Sequence, residues 1–170
     1  MRNKNVLRST VPLLVLVVSA FWVSSIFAHC EIPCGIYDDK MRIDMIKEHI
    51  ITIEKSMNEI KGLANADQMN DNQMVRWVMN KEEHASQLQH IVTQYFMTQR
   101  IKPVDQKDEA AVKAYQQKLT LLHLMLVHSM KCKQTTEQEH IHRLRDLVGQ
   151  FYQAYFVEKD KEHLEEHKYT

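Results

Sequence analysis

The stretch Ile43-Asp44-Met45-Ile46-Lys47-Glu48-His49-Ile50-Ile51-Thr52-Ile53-Glu54-Lys55-Ser56-Met57-Asn58-Glu59-Ile60 decides the fold class. Its apolar residues Ile43, Ile46, Ile50, Ile53, Met57 and Ile60 recur at intervals of three and four. That period puts one narrow apolar stripe on one face of an α-helix, with charged residues on the other. Asp38 or Asp39 can cap this helix, which is expected to run to about Lys61. A rod with one apolar face is stable only against other such rods, so the rest of the chain is read for partners.

Three partners follow. Gly62 to Asn72 is rich in Gly, Asn and Asp and reads as a loop. A second helix is expected over about 72–98, with Val75, Val78, Ala85, Leu88, Val92 and Tyr95 as its stripe, ended by Pro103. A third, about 107–133, carries Val112, Tyr115, Leu119, Leu122 and Leu126. Leu121, Leu124, Met125 and Val127 widen its apolar face, which predicts that it is the most buried helix. Thr136 and Glu139 have the spacing of a capping box for a fourth helix with the stripe Ile141, Leu144, Val148, Phe151 and Tyr155. The fold class is therefore all-α: an antiparallel four-helix bundle over residues 38–157, with a charged tail over 158–170. Only 3 Gly and 3 Pro in 170 residues agree with long helices and few turns.

Residues 1–28 have a different character. Arg2, Lys4 and Arg8 precede an apolar run, Val11 to Val23, and small residues stand at Ser24, Ser25 and Ala28. This is the pattern of a cleaved export signal, with an uncleaved membrane anchor as the alternative. Removal after Ala28 takes the formal net charge from zero to −3. No clustered basic face suggests nucleic-acid binding. The expected location is periplasmic or secreted.

Cleavage there would start the mature chain at His29-Cys30-Glu31-Ile32-Pro33-Cys34-Gly35-Ile36-Tyr37. In an exported protein Cys30 and Cys34 could simply form a disulfide. A metal would find more. The His29 α-amine, the Cys30 amide nitrogen and the Cys30 thiolate close two adjacent five-membered chelate rings, and Cys34 returns a second thiolate after a Pro-Gly turn. Two nitrogens and two sulfurs in a plane suit Ni(II), with the His29 imidazole available axially. Zinc, which prefers tetrahedral side-chain ligands, and copper, which two thiolates would tend to reduce, remain competitors.

Residues 29–37 resemble the hook motif of the nickel-containing superoxide dismutases, His-Cys-x-x-Pro-Cys-Gly-x-Tyr, at every fixed position: His29, Cys30, Pro33, Cys34, Gly35 and Tyr37. Weaker likeness continues through Lys81-Glu82-Glu83-His84-Ala85 and Tyr95-Phe96, so that it spans most of residues 29–157. The resemblance implies one nickel ion per subunit, bound by His29, Cys30 and Cys34, with Tyr37 guarding its approach and Tyr95 a further neighbour. It implies superoxide as substrate, a cis Pro33, a four-helix fold and a homohexamer. Two positions depart from the family. The acidic and arginine side chains that orient the imidazole have as nearest candidates Asp44, at a one-residue gap, and His84.

The rival reading is an exported, non-enzymatic bundle that stores or senses nickel or copper, and a third is a disulfide-looped bundle without metal. Glu137-x-x-His140 and Glu139-x-x-His142 match the di-iron Glu-x-x-His pattern but overlap on one helix, and no second helix supplies a partner. His163 and His167 fall on the charged tail. Cys132 reads as a partly buried structural thiol, and the 10 Met as gap-filling residues.

Overall fold

The computed structural model describes residues 38–68 and 70–166. Helix α1 spans Asp39–Ala64, α2 Asp71–His90, α3 Glu109–Gln134 and α4 Gln138–Glu166. They pack antiparallel in a ring, α1 against α2 and α4, and α3 against α2 and α4. The helix starts follow local chemistry. Asp38 accepts the Met41 N–H (2.8 Å), Asn70 accepts Gln73 N–H (3.1 Å) and Asp108 accepts Ala111 N–H (3.0 Å). At α4 the Thr135 hydroxyl accepts the Glu137 N–H (3.3 Å), in place of the expected Thr136–Glu139 box.

The stripe of α1 is the centre of the core. Ile43, Ile46, Ile50, Ile53 and Met57 are all buried, against Ala85, Leu88, Leu122, Met125, Ile141, Leu144, Val148 and Phe151 from the other three helices. Helix α1 is thus more buried than α3, which was expected to be the most buried helix. A rod in a four-helix ring turns one face inward. The broad apolar surface of α3 therefore leaves Tyr115, Leu119, Leu124 and Leu126 only partly covered.

Helix α2 departs from its expected course at both ends. Val75 and Val78, assigned to the core stripe, are exposed. The buried Lys81 explains this. Its ammonium donates to the carbonyls of Cys132 (2.7 Å) and Lys133, in the last turn of α3. Residues 71–80 therefore run on past the end of α3 and have no α3 surface to pack on. The same lysine satisfies carbonyls that have no partner within their own helix and opposes the negative end of the helix dipole.

At the other end, the α-helix expected to continue to residue 98 changes at Ile91 into a π-helix over Ile91–Arg100. The wider turn shows in the Ile101 N–H donating to the Phe96 carbonyl five residues back (2.9 Å). Residues five apart in an α-helix point about 140° apart, whereas in a π-helix they share a face. The π turn thereby brings Tyr95 and Arg100 to one side of the bundle. Phe96 enters the core in edge-to-face contact with Phe151, ring centroids 5.0 Å apart.

Lys81→Met keeps the length of the buried stem and removes the donor. It should destabilise the protein by about 1–3 kcal/mol, the typical cost of unsatisfied buried polar groups. Urea unfolding of both proteins measures it, and an unchanged midpoint would show that water replaces the ammonium at no cost.

Candidate functional site

His29, Cys30, Pro33, Cys34 and Tyr37 lie outside the described residues. What the structure provides is the end of the bundle into which that stretch leads. Asp38 and Asp39, which the sequence leaves interchangeable as caps, divide two tasks. Asp38 caps α1, while the Asp39 side chain turns inward and is 5% exposed.

Three donors from two distant segments converge on the Asp39 carboxylate. The Tyr95 hydroxyl donates to Oδ1 at 2.6 Å, the Tyr155 hydroxyl to Oδ2 at 2.8 Å, and Arg100 Nη2 to Oδ2 at 2.9 Å. Burial, then the hydrogen bond to Asp39 and its charge, hold both phenols above their ordinary range. They stay protonated donors throughout the physiological range. The Arg42 guanidinium lies 5.0 Å from the Tyr95 ring centroid, and Tyr155 stacks on Phe151 at 5.4 Å. Asp39 begins α1 two residues after Tyr37, so the point where the chain enters the bundle is fixed by a charge-assisted network.

Tyr95 therefore sits in this cluster, while the other two candidate neighbours of the hook do not meet. Asp44 is exposed and pairs with Lys40 (2.8 Å) and Lys47 (3.1 Å), whose hydrogen bonds lower its pKa. His84 meets His49 instead, with Nδ1 to Nδ1 at 2.9 Å, so one ring donates and the other accepts. This bond requires one of the two Nδ1 atoms to be unprotonated. Burial, and next the neighbouring His84, hold His49 below the usual histidine value.

Sequence reasoning missed Asp39, Arg100 and Tyr155 as a functional group. The Asp-Asp pair was legible only as a cap, and Tyr155 only as one more stripe position. Arg100 joins the cluster only because of the π turn. Cys132 is buried and free, with its thiol pushed up to about 12 by burial, so it is a protonated packing group. Among the described residues no three His, Cys, Asp or Glu side chains converge as a metal site, and no helix is long and apolar enough to cross a membrane.

The fold and this cluster define a class: an all-α bundle whose first helix is held by a buried acid–tyrosine–arginine network, preceded in sequence by a stretch rich in residue types that can bind a metal. A family profile described as nickel-containing superoxide dismutase matches residues 24–159, most of the chain. The chain belongs to the nickel-containing superoxide dismutase family; its activity is superoxide dismutation and its metal is nickel. Neither curated proteins nor solved structures give a match.

Two outcomes test these contacts. Asp39→Asn keeps the shape but removes the charge facing Arg100, and should cost about 3–5 kcal/mol, as for one partner of a buried ion pair. Denaturant unfolding checks it; a loss under about 1 kcal/mol would mean that the cluster is solvated like a surface pair. The second outcome concerns pH. The folded pKa of His49 lies below the ordinary histidine value of 6.5, so the unfolded chain binds more protons under that pH. Its contribution to stability is complete above about pH 6.5 and is lost as pH falls towards the folded value. His49→Gln should flatten the fall in stability between pH 7 and pH 5, read from urea midpoints at each pH.

Proposed function

We propose that the mature protein begins at His29 and that His29, Cys30 and Cys34 hold one nickel ion per subunit. The observation that carries this is the complete motif His29-Cys30-x-x-Pro33-Cys34-Gly35-x-Tyr37 within a chain of this family. The donors fit the metal in kind: two thiolates, a deprotonated amide and an amine would supply the strong-field nitrogen and sulfur donors that suit Ni(II). Bound there, nickel supplies a one-electron couple that oxidises one superoxide to oxygen and reduces the next, with two protons, to hydrogen peroxide.

The chain's own residues have distinct tasks. The α-amine of His29 exists as a ligand only after cleavage behind Ala28, so processing generates the donor set. The Cys30 amide and the two thiolates would set the electron density at the metal, and the His29 imidazole would be a further donor that supports its redox cycle. Pro33 and Gly35 shape the turn that returns Cys34, and Tyr37 limits access to small substrates. The Asp39 network supports the same reading, because a nine-residue stretch needs a fixed point of attachment. With Asp44 on the surface, the orientation of the imidazole is not assigned to it.

Export to the periplasm or the medium follows from the leader over residues 1–28. A homohexamer is proposed by resemblance to the family, and a partner subunit would give the short hook something to pack on. The rival reading, a store or sensor of nickel or copper, loses ground to the family match.

The decisive experiment combines metal content and turnover. Cys30→Ser or Cys34→Ser should abolish nickel binding with nearly unchanged helix content, because the apolar stripes lie outside the hook. His29→Ala, processed to start at Ala, keeps the amine, the amide and both thiolates. It should keep most of its nickel and lose most dismutation by pulse radiolysis. Nickel-loaded wild type that decays superoxide no faster than free nickel would overturn the assignment. An intact mass that starts at a residue other than His29 would remove the amine ligand.

A further inference from the structure

Helices α3 and α4 face each other near their connection with two histidines, His128 and His140, whose rings lie 5.4 Å apart and tilted by 56°. His140 is 7% exposed. The Nδ1 atoms of both rings are buried and have no hydrogen-bond partner. Two such atoms in one place are unusual, since buried polar groups are nearly always satisfied by protein, water or an ion. We propose that His128 and His140 form a cation site between α3 and α4 that takes a zinc-class divalent ion through their Nδ1 atoms.

The chemistry of the two rings limits the ligand. His140 Nε2 stands 3.7 Å from Glu137 Oε2. A proton on Nε2 faces that carboxylate, and Nδ1 keeps its lone pair, which is how carboxylates commonly orient histidine ligands. Burial, followed by the nearby His140, Lys131 and Arg143, holds His128 below its ordinary value, so this ring is neutral near pH 7 and its buried Nδ1 can carry a lone pair. Two lone pairs call for a Lewis acid or a hydrogen-bond donor. An anion would find no donor there.

The ring separation lies within the span that a single ion about 2.0–2.1 Å from each nitrogen permits. Imidazole nitrogen suits zinc, copper and nickel better than calcium or magnesium. No third side chain of His, Cys, Asp or Glu completes the set among the described residues, so water fills the remaining positions. Lys131 and Arg143 weaken the site electrostatically and Glu139 opposes them. The site is therefore weaker than a full structural zinc site.

The test uses the full mature chain carrying Cys30→Ser and Cys34→Ser, which removes the hook thiolates, and Zn(II) as probe. Calorimetric titration should show one equivalent that is lost, or weakened at least tenfold, by either His128→Gln or His140→Gln, with helix content confirmed by circular dichroism. Independently of any change at the site, ¹⁵N-histidine spectra of the parent should show the Nδ1 signals of both rings shifting with Zn(II). This measurement decides alone if a variant fails to fold. Unshifted signals would mean that a bridging water joins the rings, and would overturn the proposal. Equal titrations in folded variants would do the same.

Discussion

The Asp39 carboxylate is the constraint on which one whole end of the bundle depends. A buried carboxylate is tolerated only where its charge is matched and its lone pairs are used. Here Arg100 supplies the charge, and Tyr95 and Tyr155 the further donors. The donors come from the π segment and from α4, so a single side chain ties the start of α1 to two elements far away in sequence. Each tie also specifies geometry. Tyr95 and Arg100 reach the same carboxylate only because the helix between them is wound with a five-residue bond, and straightening it would carry one of them away. The π turn and the carboxylate thus require each other.

Similar reasoning applies to the other polar groups inside the bundle. Lys81 sets how far α2 slides along α3, because its ammonium must reach the terminal carbonyls of that helix. Ser129 donates to the Ala85 carbonyl at 2.9 Å, and Lys133 to the Ser86 hydroxyl at 2.8 Å, which fixes the same pair. The His49–His84 bond aligns α1 with α2, and Glu54 binds Arg145 through both oxygens, at 2.9 and 2.6 Å, to align α1 with α4. Apolar stripes are permissive about register, since a shift by one turn replaces one aliphatic contact with another. Directional bonds are not. The bundle therefore takes its cohesion from α1 and its register from a few polar pairs.

For the activity, this arrangement separates chemistry from support. The donors proposed for nickel occupy nine residues that carry none of the bundle's stripe positions. The bundle contributes a fixed entry point at Asp38 and Asp39. Burial and the Asp39 carboxylate hold both phenols protonated at that entry point, while His49 and His128, held below the usual histidine value by burial, are neutral near pH 7.

The sequence alone determined what depends on neighbours along the chain. Helix positions follow from a period of three and four, caps from Asp and Asn at helix starts, and the family from a motif whose ligands lie within six residues. It could not determine which apolar positions are covered. Val75 and Val78 belong to a stripe that only Glu82 interrupts, and they are exposed, because coverage depends on where α3 stops. It could not assign Asp44, the nearest candidate beside the imidazole although one residue out of register, whose side chain binds two lysines instead. Asp39 read as a cap, His140 as part of a Glu-x-x-His match without a partner helix, and His128, 12 positions earlier, was not singled out. Their chemistry arises only when separate helices bring lone pairs and donors within 3 to 5 Å. That distance is set by packing, and a sequence read one segment at a time does not contain it.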